Sequence, residues 1–415
     1  MKNNKIIINK VNRNHNQISI SYSIEGEIQK YFNEKKVFTI EYNTDINNVP
    51  ESICVIPFIA NILPIVWLTD AILIVDSIDE EFYNSIDKFK QGYINMYPHM
   101  KFKGEIIAKN IDRNIQPQPL KRKGAFFSGG VDAFATLIAH ISELPFLITI
   151  IGADIKLNDQ EGIKNVSNQV EETCNSFNLN SIFIKSNFRE FIKEHILETL
   201  VKKSGDGWWH GFQHGIGIIS QIAPVAYNLG FDKIYIASTN TAKDNVTCAS
   251  HPSIDNNIAF CQCRIEHDQY EYTRQEKINH ICNYVKATQI PIKLRVCWIS
   301  RGGNNCCKCE KCYRTIMGIL AEGEDPNKYG FNVDKTLLEQ IKIDILDKII
   351  MSKQIIVFWK DIQQQMTENF NQLAYKEEIK WICKTNFNTI NIRPFKFINR
   401  IRNKIKYILK TLIKR

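Results

Sequence analysis

Residues 122–137 read RKGAFFSGGVDAFATL. Aromatic strand formers run into Ser128-Gly129-Gly130 and then directly into a helical pattern from Val131. A strand-to-helix turn needs only one glycine. Two of them, with Ser128 before and Asp132 behind, point to close approach of something to the backbone. Such a turn aims several unpaired N–H groups and the positive end of a helix dipole at one place. That place is an anion site, to which Ser128 adds a hydroxyl and Asp132 a carboxylate able to hold Mg2+ or to fix the turn. The stretch has neither the Gly-Lys-Ser/Thr of a Walker loop nor the G-x-G-x-x-G spacing. A plain βα turn without a ligand is the alternative, and context has to decide between them.

Downstream, strand patterns at 124–127, 146–151, 181–185, 233–237 and 292–298 alternate with helical ones at 131–142, 160–177, 210–228 and 272–287. This rhythm predicts an α/β fold, a doubly wound parallel sheet covered on both faces. Asp154 follows the second strand at the same end of the sheet, as a nucleotide or metal contact or as a cap. Residues 237–268 read as a long polar loop, rich in Asn, Ser, His and Asp. There Lys243 and Arg264 are candidates to neutralise phosphate, against the plainer reading of a solvated loop with Asx turns. His210 and His214 stand at i and i+4 on a helix, where packing or substrate contact outweighs a second metal because no third ligand accompanies them.

Residues 1–115 alternate short strand patterns with one helical pattern, EEFYNSIDKFKQGYINMY, and form an expected α+β N-terminal domain. The polar segment 111–123 reads as a linker, so the second domain is placed at 120–330 and a helical C-terminal region at 331–415. The apolar run 53–68 contains Pro57, Asn61 and Pro64 and is too short for a comfortable membrane span, which makes it buried core. The formal charge of +9 resides in the tail: from Arg393 onward there are nine Lys or Arg and no acid, leaving 44 basic and 44 acidic residues before it. Within that tail Ile398, Ile401, Ile405, Ile408, Leu409 and Leu412 share one helical face opposite the cations. A helix lying on an anionic membrane or a nucleic acid, and a terminal helix docked on the body, fit equally well.

Of twelve Cys, five crowd into 297–312 in CWISRGGNNCCKCEKCYR. Without an apolar leader at the N-terminus, this reads as metal binding in a reducing cytosol. Cys297, Cys306, Cys309 and Cys312 have the spacing of a tetrahedral Zn2+ shell, with Cys297 arriving from a strand end and Cys307 as a rival to Cys306. Four thiolates leave no open position for water, so the zinc is expected to be structural.

Together the two motifs carry a resemblance. SGGVDA after a hydrophobic strand resembles the Ser-Gly-Gly-x-Asp-Ser/Thr signature of the PP-loop ATP pyrophosphatases. The ending C-x8-C-x2-C-x2-C-Y-R is similar to the zinc site of one branch, the 7-cyano-7-deazaguanine synthases of queuosine biosynthesis. The likeness spans roughly residues 124–329. It implies a sheet of the adenine-nucleotide α-hydrolase (HUP) type, with ATP and Mg2+ as cofactors and the pyrophosphate cradled by Ser128, Gly129, Gly130 and Asp132. It implies adenylation of a small-molecule carboxylate or amide, then attack by ammonia or another amine. Ala133 departs from the signature's Ser or Thr, and HPSIDNN (251–257) departs from the branch's substrate loop. Related expectations are an ammonia-dependent amidotransferase of surface-polysaccharide sugars, a relative diverted to protein or nucleic-acid modification in defence, and a non-catalytic nucleotide-binding subunit. A second copy of the chain, or a protein or the inner membrane face held by the tail, are the expected partners.

Overall fold

In a computed structural model, which describes residues 4–244, 246–297, 302–392 and 396, buried and exposed positions alternate along most of the N-terminal strands. The strands are β1 (Lys5–Asn14), β2 (Gln17–Glu25), β3 (Val37–Tyr42), β4 (Ile72–Asp79), β5 (Glu105–Asp112), β6 (Arg122–Phe126), β7 (Phe146–Ile151), β8 (Ser181–Ser186), β9 (Phe231–Ala237), β10 (Ala259–Phe260) and β11 (Cys263–Asp268). They form one sheet in the order β10-β11-β9-β6-β7-β8-β3-β2-β1-β4-β5. Its middle, β11-β9-β6-β7-β8, is parallel throughout, and β1, β4 and β5 add a second parallel group. The β1-β2-β3 meander and the β3–β8 pairing are antiparallel, so the sheet is mostly parallel rather than wholly so.

Two compact units emerge, and they depart from the division expected at 115 and 330. The first comprises Met1–Ser128, Thr136–Ser238 and Asn245–Tyr270, and the second Gly129–Ala135, Thr239–Asp244 and Glu271–Arg415. The N-terminal segment is no separate domain, because Ile40, Glu41 and Tyr42 of β3 pair with Ser186, Lys185 and Ile184 of β8. The expected linker is likewise anchored: buried Gln116 donates from Nε2 to the carbonyls of Phe231 (2.6 Å) and Cys261 (2.8 Å).

The apolar run becomes the helices Glu51–Cys54 and Ile56–Thr69, with Phe58, Ile59, Ile62 and Leu63 fully buried. No helix among the described residues is long and apolar enough to cross a membrane. Three sequence-based expectations need correction. Residues 263–268 are strand rather than loop, held parallel to β9 from Lys233 to Ala237. The short helix Pro252–Asp255 also interrupts that stretch. Residues 292–297 form no strand; they are fixed instead by bonds from Leu294 N to Tyr329 O and from Arg295 N to Gly129 O. The tail face from Ile398 to Leu412 lies outside the described residues.

At the carboxyl ends of β7 and β8 the backbones approach closely. Gly152 has φ +109°, and a Cβ there would lie 2.0 Å from the Ser186 carbonyl oxygen. Gly152→Ala is therefore expected to destabilise the fold by about 2 kcal/mol or more, seen as a lower urea midpoint with an unchanged slope.

Candidate functional site

β6 sends its chain to β7 on one side and has β9 on the other, so the strand order reverses between β6 and β9. In open α/β sheets the crevice outside the carboxyl ends at such a reversal is where ligands bind. The Ser-Gly-Gly-Val-Asp turn leaves β6 here. Gly129 adopts φ +74°, a left-handed conformation that a side chain would strain, and the helix Val131–Ala139 follows.

Within the second unit the segments after β6 and β9 meet, since Thr239 Oγ1 donates to Asp132 Oδ2 at 3.2 Å. Arg274 Nη1 donates to the same oxygen at 2.7 Å, with Arg274 only 4% exposed and Asp132 17%. Arg274 is the first residue of the helix Arg274–Thr288, whose start is set by a reciprocal capping box between Thr273 and Glu276. Burial opposes ionisation of Asp132. The charges of Arg274, Lys277, Lys311 and Arg314 nonetheless hold its carboxyl below the usual range. Lys277 is fully buried. Arg314 is 8% exposed; it pairs with Glu310 at 3.3 Å and lies 4.7 Å from the Phe358 ring. Burial, and then Arg274, bring its guanidinium down to about 10.

Four cations thus act on Asp132 in the first turn of the helix Val131–Ala139, and a second acid, Glu310, pairs with Arg314. Asp132 Oδ1, Arg274 Nε and Arg314 Nε are buried without a hydrogen-bond partner among the described residues. A positive, partly unsatisfied cradle of this kind suits an anion of several charges.

Beside it sits the cysteine group. The Sγ atoms of Cys297, Cys306, Cys309 and Cys312 all lie within 4.8 Å of one another, with Cys297–Cys309 and Cys306–Cys312 both at 3.9 Å. A tetrahedral ion with Zn–S bonds of about 2.3 Å sets its sulfurs about 3.8 Å apart. These four could hold a zinc ion, and Cys307, at φ 49°, stands outside the group. Cys309 caps the helix Glu310–Ala321, accepting from Cys312 N. That helix also carries Lys311 and Arg314, so the knuckle fixes two of the four cations facing Asp132.

Among the residues expected at a nucleotide site, Gly129, Gly130 and Asp132 fall in this unit, and Ser128 immediately precedes them at the edge of the first. Lys243 is exposed on the Thr239–Asp244 segment. Asp154 is exposed after β7 in the first unit. Arg264 lies on β11 and lines a cleft with Asp79, Glu81 and Arg113 in the first unit. Arg274, Lys277, Lys311 and Arg314 were not expected. In sequence they look like ordinary solvated helix charges; the only signal was the i,i+3 spacing of each pair.

No family model, curated protein or solved structure matches the chain.

Proposed function

We propose that the Gly129–Asp132 turn holds the phosphates of ATP, and that the chain is an AMP-forming ligase joining a nitrogen nucleophile to a carboxylate. What supports this is the gathering of Arg274, Lys277, Lys311 and Arg314 around Asp132 in the first turn of the helix that follows β6. Four cations at one helix end suit a polyphosphate better than a single carboxylate. In this reading a substrate carboxylate oxygen attacks the α-phosphorus and pyrophosphate leaves. Its growing charge is taken up by the cations and the helix N–H groups. The amine then attacks the acyl carbon and AMP departs. Mg2+ would be held through Asp132, and zinc would keep the Glu310–Ala321 helix in place without entering the chemistry.

The test is the fate of α-labelled ATP with the zinc-loaded chain, ammonium, and a panel of carboxylates that includes a carboxy-deazaguanine. AMP and pyrophosphate in equal amounts, dependent on one acid, are expected. ADP as the product, or no turnover with any acid, would overturn the reading.

A further inference from the structure

The sheet ends in two edge strands, β10 and β5, and the two edges are built differently. At the first, β10 is two residues long, and the helix Glu80–Met96 packs against it, with Ser85 Oγ donating to the Ala259 carbonyl at 3.4 Å. A short, covered strand is how natural sheets blunt an edge. At the second, β5 runs for eight residues, EIIAKNID, with no proline and a single lysine. It pairs with β4 on one side, and among the described residues no strand lies on the other. In a parallel pair alternate residues turn both N–H and C=O away from the partner strand, so β5 offers a row of backbone donors and acceptors to solvent.

The side chains of this edge are sorted by face. Ile106 and Ala108 lie on the inner face and pack against the core. Glu105, Ile107, Lys109 and Ile111 lie on the other face and are exposed, Ile107 by 48% and Ile111 by 49%. Arg113, one residue past the strand, continues the same face by the two-residue period and is exposed as well. Outward from Lys109, this face reads isoleucine then acid on one side and isoleucine then base on the other. Two copies of such a strand, antiparallel about a two-fold axis at Lys109, set Glu105 against Arg113 of the second copy and Ile107 against Ile111 of the second copy, each pair occurring twice. Opposite-charge and β-branched pairs are the cross-strand contacts that stabilise a sheet. Lys109 meets its own copy at the axis, with its charge already taken by Asp76 Oδ1 at 2.6 Å. Moving the axis by one residue in either direction sets charge against isoleucine, so the pattern selects one register.

We propose that β5 is a docking edge for a second copy of this chain, which pairs antiparallel with it about Lys109 and carries the sheet on through both copies. The occupant follows from the charges and isoleucines of the edge, which complement themselves and no other described segment. A contact confined to one strand is small, so the dimer forms and dissociates with concentration. The edge lies wholly in the first unit and stands whether or not the ligase reading does.

The test is sedimentation velocity of the full-length chain between about 1 and about 100 μM. Wild type is expected to pass from monomer to dimer across that range. Glu105→Arg and Arg113→Glu each set like charges opposite one another twice, and each should weaken the dimer roughly 10-fold or more. An equimolar mixture of the two variants restores both opposite-charge pairs. It should therefore dimerise as wild type does, a rescue that misfolded variants could not give. Lys109→Cys should form a disulfide between copies under mild oxidation, mapped by peptide mass to position 109, because antiparallel partners stand about 4.5–5.5 Å apart at Cα. A chain monomeric throughout, a dimer indifferent to both charge reversals, a mixture that stays monomeric, or no cross-link at position 109 would each overturn the proposal. Dimerisation seen only after removal of residues 393–415 would overturn it too, by making the tail the occupant of the edge.

Discussion

Asn in place of Asp132 is expected to cut AMP release from ATP by roughly 100-fold or more, as loss of one preorganised charge contact at a phosphate site does. The reason lies in the cluster. Asp132 receives Arg274 and Thr239 on one oxygen, and the charges of four cations act on it. With Asn present, Arg274 would remain buried without its counter-ion, which costs about 3 kcal/mol of stability. The pH dependence has a definite sign. Because the folded carboxyl sits below its ordinary value, its stabilising contribution is present above the unfolded pKa of about 3.9 and is lost as pH falls through the folded one. Urea unfolding should therefore separate wild type from Asp132→Asn at neutral pH and bring them together in strong acid. Equal AMP release by the two proteins would remove Asp132 from the proposed chemistry. A constant stability gap across that range would remove the ion pair from the explanation.

Cys309→Ser is expected to have the largest structural effect. Isolated structural zinc sites bind their ion with roughly 10–16 kcal/mol, so loss of one ligand should outweigh an ordinary core truncation. Zinc content should fall well below one ion per chain, with a matching drop in melting temperature and loss of AMP release. Cys307→Ser, one residue beyond Cys306 and outside the sulfur group, should leave all three unchanged. If Cys307→Ser lost zinc and Cys306→Ser kept it, the ligand assignment would be reversed. The double dependence follows from Cys309 acting twice, as a sulfur of the group and as the cap of the helix that carries Lys311 and Arg314.

How much of this was legible in the sequence depended on burial. β7 and the helix Gln160–Phe177 were readable to the residue, since a continuous apolar run and a 3.6-residue stripe each leave one interpretation. β5 was not, because its residues, EIIAKNID, are nowhere fully buried and alternate only weakly. β11 was mistaken for loop because CRIEHD is polar; His267 is buried there and bonded to Asp255 at 2.8 Å, which no local pattern reveals. The turn at Ser128–Asp132 and the cysteine spacing could be read because each is local. The cations around Asp132 could not, since Arg274 and Arg314 differ from solvated helix charges only in what the fold places over them.

The second unit is stitched from three stretches of chain, and its central ion pair joins residues 142 positions apart. On a ribosome adding about 5–20 residues per second, Asp132 would wait roughly 7–30 s for Arg274 to be made, and longer for the cysteines that follow. During that interval the helix end after β6 has neither its cations nor the neighbouring helix that Cys309 caps. A nascent chain can thus complete β6 to β9 and still lack the proposed phosphate site, so phosphate binding becomes a report that synthesis has passed the cysteines. A fragment cut at the start of Glu271–Arg415 would, for the same reason, carry the cations and the sulfur group but not the turn they surround.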